Sequence, residues 1–151
     1  MSPTTLKIVH LLCACLFLGN VIVSGVWAAL AERTGKHEII KFANRMVLIT
    51  DCLFTLTGAV GVVVTGHYMA VRYGGDTAHD WLTWSYMLFG LSGLIWALVL
   101  VPIQLRQRTL LHRYDHITAD YLRLSRVWQI SGAVATAVPL PIIYLMVNKA
   151  S

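Results

Sequence analysis

The sequence predicts an all-α integral membrane protein, a single domain (1–151) folded as a bundle of four transmembrane helices. Hydrophobic residues make up 57% of the 151 residues and charged residues only 13%, about half the charged fraction of a typical soluble domain. Mean hydropathy is +0.66. Four stretches lack Lys, Arg and Glu and exceed the roughly 20 helical residues that cross a bilayer. They are 8–31, 46–71, 81–105 and 127–148.

Each of the four stretches is expected to be a helix, because a chain within hydrocarbon must satisfy its own backbone hydrogen bonds. This composition excludes intrinsic disorder, and three Cys are too few for a secreted disulfide scaffold. The first stretch is too long for the apolar core of a cleaved signal peptide, so we expect it to remain as the first span. Pro102 is expected to kink the third helix, and Pro139 and Pro141 the fourth.

The basic residues predict the orientation of the bundle. Nine of the twelve Lys and Arg residues lie in the first and third connections, against three in the second connection and the tails. The positive-inside rule then places the first and third connections in the cytoplasm and both termini outside, in the periplasm of a bacterial inner membrane. We therefore assign the net charge of +5 to orientation and contact with lipid headgroups, not to nucleic acid. The apolar spacing within 106–126 predicts that the third helix continues into the cytoplasm as an amphipathic extension.

Polar side chains within the spans are costly, so each requires an explanation. On a helical wheel His10 and Asn20 share one side of the first helix and should face the bundle. Asn20 lies about 15 Å deeper than His10 at 1.5 Å per residue. At that depth Asn20 can meet Asp51, the acid of the second span. The Asp51 carboxyl is expected to be protonated or paired with a base such as Arg45 or Arg126.

His10 is the main candidate ligand of a cofactor. A neutral imidazole is a common axial ligand of haem, and helix bundles build such sites from inward side chains. His67 lies at matching depth on the second helix and is the candidate second ligand, although an ideal wheel places it on the side that leans toward lipid. Trp27 is a candidate aromatic wall for the porphyrin. These residues predict haem b near the outer surface, with a one-electron transfer or accessory redox role.

Two alternatives remain open. The first is a copper site facing outward, formed by imidazole and sulfur ligands that suit copper; its members would be His10, Cys13, His67, Met69 and His79. The second is a non-catalytic packing subunit or assembly factor, in which His10 only bonds a neighbouring helix. Faces of small residues on the second, third and fourth helices, including Gly58, Gly90 and Gly93, fit packing within one chain or in a homo-oligomer.

The order of several short motifs resembles a known family along essentially the whole chain. These motifs are His10, Gly19-Asn20, Trp27, Arg45 to Asp51, Thr65-Gly66, Trp81-Leu82, Arg126 and Pro139. They resemble the predicted four-span bacterial integral membrane proteins of unknown function. That family in turn resembles the HemJ-type protoporphyrinogen oxidases and, more distantly, the CopD-type copper-resistance membrane proteins. In the HemJ-type pattern an early His of the first helix is implicated in haem binding, and His10 matches it.

The sequence departs from the HemJ-type pattern in the third span. HemJ-type proteins carry an essential Lys shortly after the Trp that opens that helix. Here residues 81–105 begin at Trp81 and contain no Lys. The resemblance therefore supports haem binding more than protoporphyrinogen oxidation, and it leaves open whether the chain is a membrane oxidoreductase.

Overall fold

A computed structural model describes residues 2–73 and 80–148, which form helices joined by short connections. In chain order the helices are α1 (Pro3–Arg33), α2 (His37–Thr50), a π-helical segment (Asp51–Leu56), α3 (Thr57–Tyr73), α4 (Asp80–Ile95), a second π-helical segment (Trp96–Leu100), α5 (Val101–Arg113), α6 (Ala119–Ala137) and α7 (Leu140–Asn148). The described residues contain four helices long and apolar enough to span a membrane. The first span is α1, the second runs from α2 to α3, the third from α4 to α5, and the fourth from α6 to α7.

The helices extend beyond the predicted spans. The second begins at His37, nine residues before the predicted start, and the third ends at Arg113, eight residues after the predicted end. A run without charges marks the hydrocarbon layer only, whereas a helix can continue among the headgroups. The predicted extension of the third helix over 106–126 is correct as far as Arg113. Beyond it, 114–118 is not helical, and α6 begins at Ala119.

Local capping explains where several helices begin and end. Ser2 Oγ accepts a hydrogen bond from the Thr5 backbone N–H at 3.1 Å, and Pro3 opens α1, a position where a missing N–H costs nothing. Gly35 follows α1 with a φ of +63°, the left-handed conformation that favours glycine after a helix. Thr118 Oγ1 accepts from the Tyr121 N–H at 3.2 Å at the start of α6.

The bundle buries polar residues and exposes apolar ones. Leu98 and Ile130 have 71% and 68% of their surface exposed, whereas Gln104 and Ser125 have 2% and 1% exposed. This arrangement is expected in lipid, because apolar side chains gain little by leaving a solvent that is itself apolar. Polar side chains gain hydrogen bonds by facing one another.

Helix α1 packs most extensively against α3, and glycines allow the close approach. A Cβ added at Gly58 would lie 2.9 Å from the Phe17 backbone nitrogen, and one at Gly61 would lie 2.4 Å from Cys13 Sγ. The predicted packing face of the second span is therefore confirmed at Gly58. At Gly132 in the fourth span, an added Cβ would lie 3.9 Å from Leu100 Cδ2.

The predicted packing face of the third span does not pack within the described chain at Gly90 and Gly93. Gly90 and Gly93 are exposed, and an added Cβ at either would meet nothing within 4 Å. The buried face of α4 instead carries Ser85 and Ser92, and Ser92 Oγ donates to the Ala135 carbonyl oxygen at 2.6 Å. The helix is rotated so that these hydroxyls find acceptors inside the protein.

The helical pattern changes near Pro102 and Pro139, whereas Pro141 lies within α7. The second π-helical segment ends two residues before Pro102, and α6 ends two residues before Pro139. Proline cannot donate a backbone hydrogen bond and crowds the preceding turn. The regular hydrogen-bond pattern therefore changes at both places.

The 34–36 and 114–118 connections lie at one end of the bundle, which we name the basic end. His37 connects α2 to α5 at this end, because its Nε2 lies 3.1 Å from the Leu111 carbonyl oxygen. The start of α1, the end of α3 and the start of α4 lie at the opposite end.

Candidate functional site

Asp51 is the centre of a buried hydrogen-bond network. The Asn20 Nδ2 donates to Asp51 Oδ1 at 3.1 Å, as the helical rise predicts. The Thr55 hydroxyl donates to the same oxygen at 3.0 Å, and Gln104 Nε2 donates to Oδ2 at 2.8 Å. The network therefore joins α1, the first π-helical segment and α5 through one carboxyl group.

The partners of Asp51 are neutral. Arg45 and Arg126 are both exposed and neither forms an ion pair with a described residue, so the expected pairing of Asp51 with one of these bases is wrong. The physical reason is the direction of the side chains: both guanidinium groups lie on the outer surface at the basic end. Amide and hydroxyl donors satisfy the carboxyl oxygens instead.

Both π-helical segments contribute to this site. Asp51 and Thr55 belong to the first segment, and Trp96 opens the second. The Trp96 indole N–H faces Asp51 but lies outside hydrogen-bond geometry. Single π-helical turns occur often at functional sites because the wider turn re-aims its side chains.

A second polar network lies between α1 and α6 at the basic end. The Ser125 hydroxyl donates to a Glu32 carboxyl oxygen. Gln129 Nε2 donates to the other oxygen at 3.1 Å. Glu32 follows directly after the predicted first span, and Ser125 precedes the predicted fourth. The sequence analysis did not identify this pair.

A cavity of about 20 Å³ lies between the two networks, lined by residues that include Glu32, Asn44, Gln104, Gln107 and Trp128. Gln104 Oε1 and Trp128 Nε1 are buried without a hydrogen-bond partner. A cavity of this size has room for one water molecule. Water can donate to the amide oxygen and accept from the indole N–H.

His10 faces the bundle, as the helical wheel predicts. Its side chain is buried, and Nδ1 lies 2.8 Å from Thr65 Oγ1. The Thr65 hydroxyl donates to the Gly61 carbonyl oxygen at 2.6 Å, so it accepts from His10. The proton of a neutral imidazole is therefore on Nδ1, where it is donated to Thr65.

The glycine at position 66 gives the His10 ring its space. A Cβ added there would lie 3.2 Å from His10 Cε1 and 3.7 Å from Nδ1. The Nδ1–Cε1 edge of the ring therefore packs against the backbone of α3. A porphyrin therefore does not fit between α1 and α3 at this level.

His67 does not share this environment. It is exposed, its Nδ1 lies 3.0 Å from the Tyr86 hydroxyl, and the two ring centroids are 6.3 Å apart. His67 thus connects α3 to α4 on the outside of the bundle, the side to which the ideal wheel assigns it. The geometry brings His10 to Thr65 and Gly66 and leaves His67 with Tyr86.

The other candidate ligands are dispersed. Trp27 is 49% exposed and lies 17 residues from His10 in α1, about 25 Å along the helix axis. Cys13 packs against Gly61. Within residues 2–73 and 80–148 no group of three or more His, Cys, Asp or Glu is arranged to hold a metal ion. His79, a member of the suggested copper set, lies outside the described residues.

The sequence analysis missed Gln104, the third-span partner of Asp51. One signal could have found it, because Gln104 is the only Gln, Asn or charged residue in 81–105. A polar amide within a membrane span requires a partner as much as a carboxyl group does.

Four apolar helices around polar networks define a multi-pass integral membrane protein, which lies in a lipid bilayer. The chain belongs to the family described as predicted integral membrane protein (DUF2269), whose model matches residues 4–150. No curated protein and no solved structure matches the chain.

Proposed function

We propose that this protein binds haem b through His10 and serves as a one-electron carrier or accessory redox subunit of a bacterial inner membrane. The observation that supports the proposal is the hydrogen bond from His10 Nδ1–H to Thr65. A histidine that binds a metal through one ring nitrogen commonly donates the N–H of its other ring nitrogen to a neighbouring acceptor. This hydrogen bond fixes the tautomer and makes the metal-binding nitrogen more basic. Haem b would supply a reversible one-electron couple.

The proposal takes one axial ligand for haem from this chain. His10 would hold the iron, while Thr65 and Gly61 orient the imidazole. His67 is bonded to Tyr86 on the exposed surface and Trp27 lies near the other end of α1, so neither supports a second contact in this arrangement.

The proposed orientation places the basic end in the cytoplasm and the His10 end in the periplasm. Its support is the excess of Lys and Arg in the first and third connections. The haem would then lie near the periplasmic face.

Visible spectroscopy of the protein purified from haem-replete cells tests the haem proposal. We expect a Soret band and, after dithionite reduction, a sharp α band at about 560 nm, the region of b-type haem. The His10→Gly variant should lose both bands, and added imidazole should restore them if the helix bundle is intact. Matched His67→Ala and His112→Ala variants should retain both bands.

Thr65→Val gives a second readout. This variant keeps the side-chain volume but removes the acceptor for His10 Nδ1–H. We expect haem affinity to fall about 10-fold or more, the usual effect of removing such a partner, with a shifted reduction potential. If wild-type protein purifies without haem and does not bind added haem, the haem proposal is wrong.

A structural role for His10 is the second candidate. The same hydrogen bond between α1 and α3 suits a packing subunit or assembly factor, because interhelical polar bonds stabilise helix pairs in lipid. In that case the protein contains no haem and His10→Gly lowers stability only. Copper handling would require bound copper in metal analysis after copper is added.

A further inference from the structure

A basic surface pocket lies between α2 and α5 at the basic end. Its cavity volume is about 220 Å³, and its lining residues are Glu38, Lys41, Phe42, Asn44, Arg45, Arg108, Leu111 and His112. The lining carries three permanent cations against one carboxylate. The pocket shares only Asn44 with the lining of the internal cavity and has no residue in common with the His10 site.

The three cations of this pocket have no anionic partner in the described chain. The ion pair found among residues 2–73 and 80–148 is His37 with Glu38 at 3.3 Å. Lys41, Arg45 and Arg108 form neither a salt bridge nor a side-chain hydrogen bond there. Arg45 and Arg108 line the same pocket and pair with no described carboxylate, and guanidinium groups can bind a phosphate through paired N–H donors.

The pocket lies at the depth of the lipid headgroups. Arg45 immediately precedes the predicted second span, and Arg108 lies three residues after the predicted third span, about 5 Å beyond it along a helix. The headgroup layer extends about 5–7 Å beyond the hydrocarbon on each side. Both guanidinium-bearing residues therefore lie at the level of phosphates.

An apolar residue at the same pocket favours a lipid over a soluble anion. Phe42 is 64% exposed and lines the cavity beside Lys41 and Arg45. A soluble phosphate offers nothing for this ring to contact, whereas the glycerol and acyl part of a phospholipid does.

We propose that this pocket is a binding site for an anionic phospholipid, with the phosphate between Arg45 and Arg108 and the apolar part of the lipid against Phe42. Lys41 supplies further positive charge. The site would fix the α2–α5 pair within one leaflet. This inference is independent of the haem proposal.

Native mass spectrometry of the detergent-purified full chain tests the proposal, with phosphatidylglycerol and phosphatidylcholine as probes. Wild type should bind phosphatidylglycerol at least about 10-fold more tightly than phosphatidylcholine, since charge-assisted hydrogen bonds are the strong ones. Arg45→Gln/Arg108→Gln should remove this preference. Both arginines are exposed and unpaired, so the variant is expected to fold, and its helix content is checked by circular dichroism.

The matched control is Arg123→Gln/Arg126→Gln. It removes the same charge from exposed positions of α6 that do not line the pocket, and it should keep the preference. Equal loss in both double variants would overturn the proposal, because the effect would then be general charge attraction. Displacement of the lipid by millimolar inorganic phosphate would also overturn it and indicate a site for free anions.

Photocrosslinking of wild type provides a measurement that does not depend on a variant. A phosphatidylglycerol probe with a photoreactive headgroup should label 38–45 and 108–112. Labelling confined to other surfaces would contradict the proposed site.

Discussion

Asp51 lies within a membrane span, yet its partners among the described residues are neutral donors. Each carboxyl oxygen has a donor at 3.1 Å or less. Ionisable residues in membrane spans are rare and usually functional. Here the carboxyl group at least connects three helical segments, so its neighbours should be energetically coupled to it.

A double-mutant cycle on Asp51 and Gln104 measures that coupling. Gln104→Leu removes the donor to Oδ2, and we expect a loss of about 1–2 kcal/mol in the free energy of unfolding. Asp51→Leu leaves the Gln104 donor unpaired, while Asn20 keeps its hydrogen bond to the Thr55 hydroxyl at 2.8 Å, and it should cost a similar amount. The double variant should be more stable than the sum of the single effects predicts.

The measurement for this cycle is unfolding of the purified protein by SDS in mixed micelles. Leu105→Ala is the control, because Leu105 lies beside Gln104 in sequence but is 51% exposed. Strictly additive effects of the two Leu variants would show that the contact is not energetically coupled.

At the scale of helices, the α1–α3 contact depends on two glycines with different neighbours. A Cβ at Gly58 meets the Phe17 backbone, whereas a Cβ at Gly61 meets mainly the Cys13 side chain. The structure therefore predicts that the loss of stability caused by alanine at Gly61, but not at Gly58, can be reduced by shortening a neighbouring side chain.

Gly58→Ala and Gly61→Ala should each lower stability by about 1–3 kcal/mol, because the helices must move apart. Cys13→Ala should rescue Gly61→Ala in part, since it removes the sulfur in the way, but should not rescue Gly58→Ala. The apparent Tm in detergent reports both effects.

Gly90→Ala and Gly93→Ala are the matched controls, because both glycines lie in a helix with open space around them. They should leave Tm unchanged or raise it, since Ala is the better helix former. A large loss at either control position would mean that α4 is rotated differently from the described structure.

At the scale of the whole molecule, the proposed orientation predicts which ends are accessible from each side. In a background with all three Cys replaced by Ala, Lys36→Cys and Asp115→Cys lie in the basic-end connections. A maleimide that cannot cross membranes should label them in inverted vesicles but not in intact spheroplasts. Thr4→Cys, exposed at the opposite end, should show the reverse pattern.

Labelling of the basic-end positions in intact spheroplasts would contradict the orientation. The pattern expected for Thr4→Cys also controls for a probe that leaks across the membrane. Neither outcome bears on the pattern of helix contacts, which is the same for both orientations.

The sequence could predict the contacts and side-chain directions that depend only on the positions of residues along one helix. The Asn20–Asp51 contact follows from helical rise, and the inward direction of His10 follows from its polar and aliphatic neighbours. Gln104 and Ser92 were missed because their roles depend on how the third span is rotated relative to the others. Small residues such as Gly90 and Gly93 look equally suited to packing, and a rotation about the helix axis decides which face is used.

The amino-acid order alone determined four helices in lipid, since a run of apolar residues fixes both the environment and the backbone conformation that can exist there. Tertiary structure alone decided that Asp51 is satisfied by amides and a hydroxyl, that His67 turns to Tyr86, and that three cations meet around one pocket. These outcomes depend on the relative rotation and separation of helices. Many weak contacts between helices together determine this rotation and separation, so neither can be predicted from the sequence of one helix.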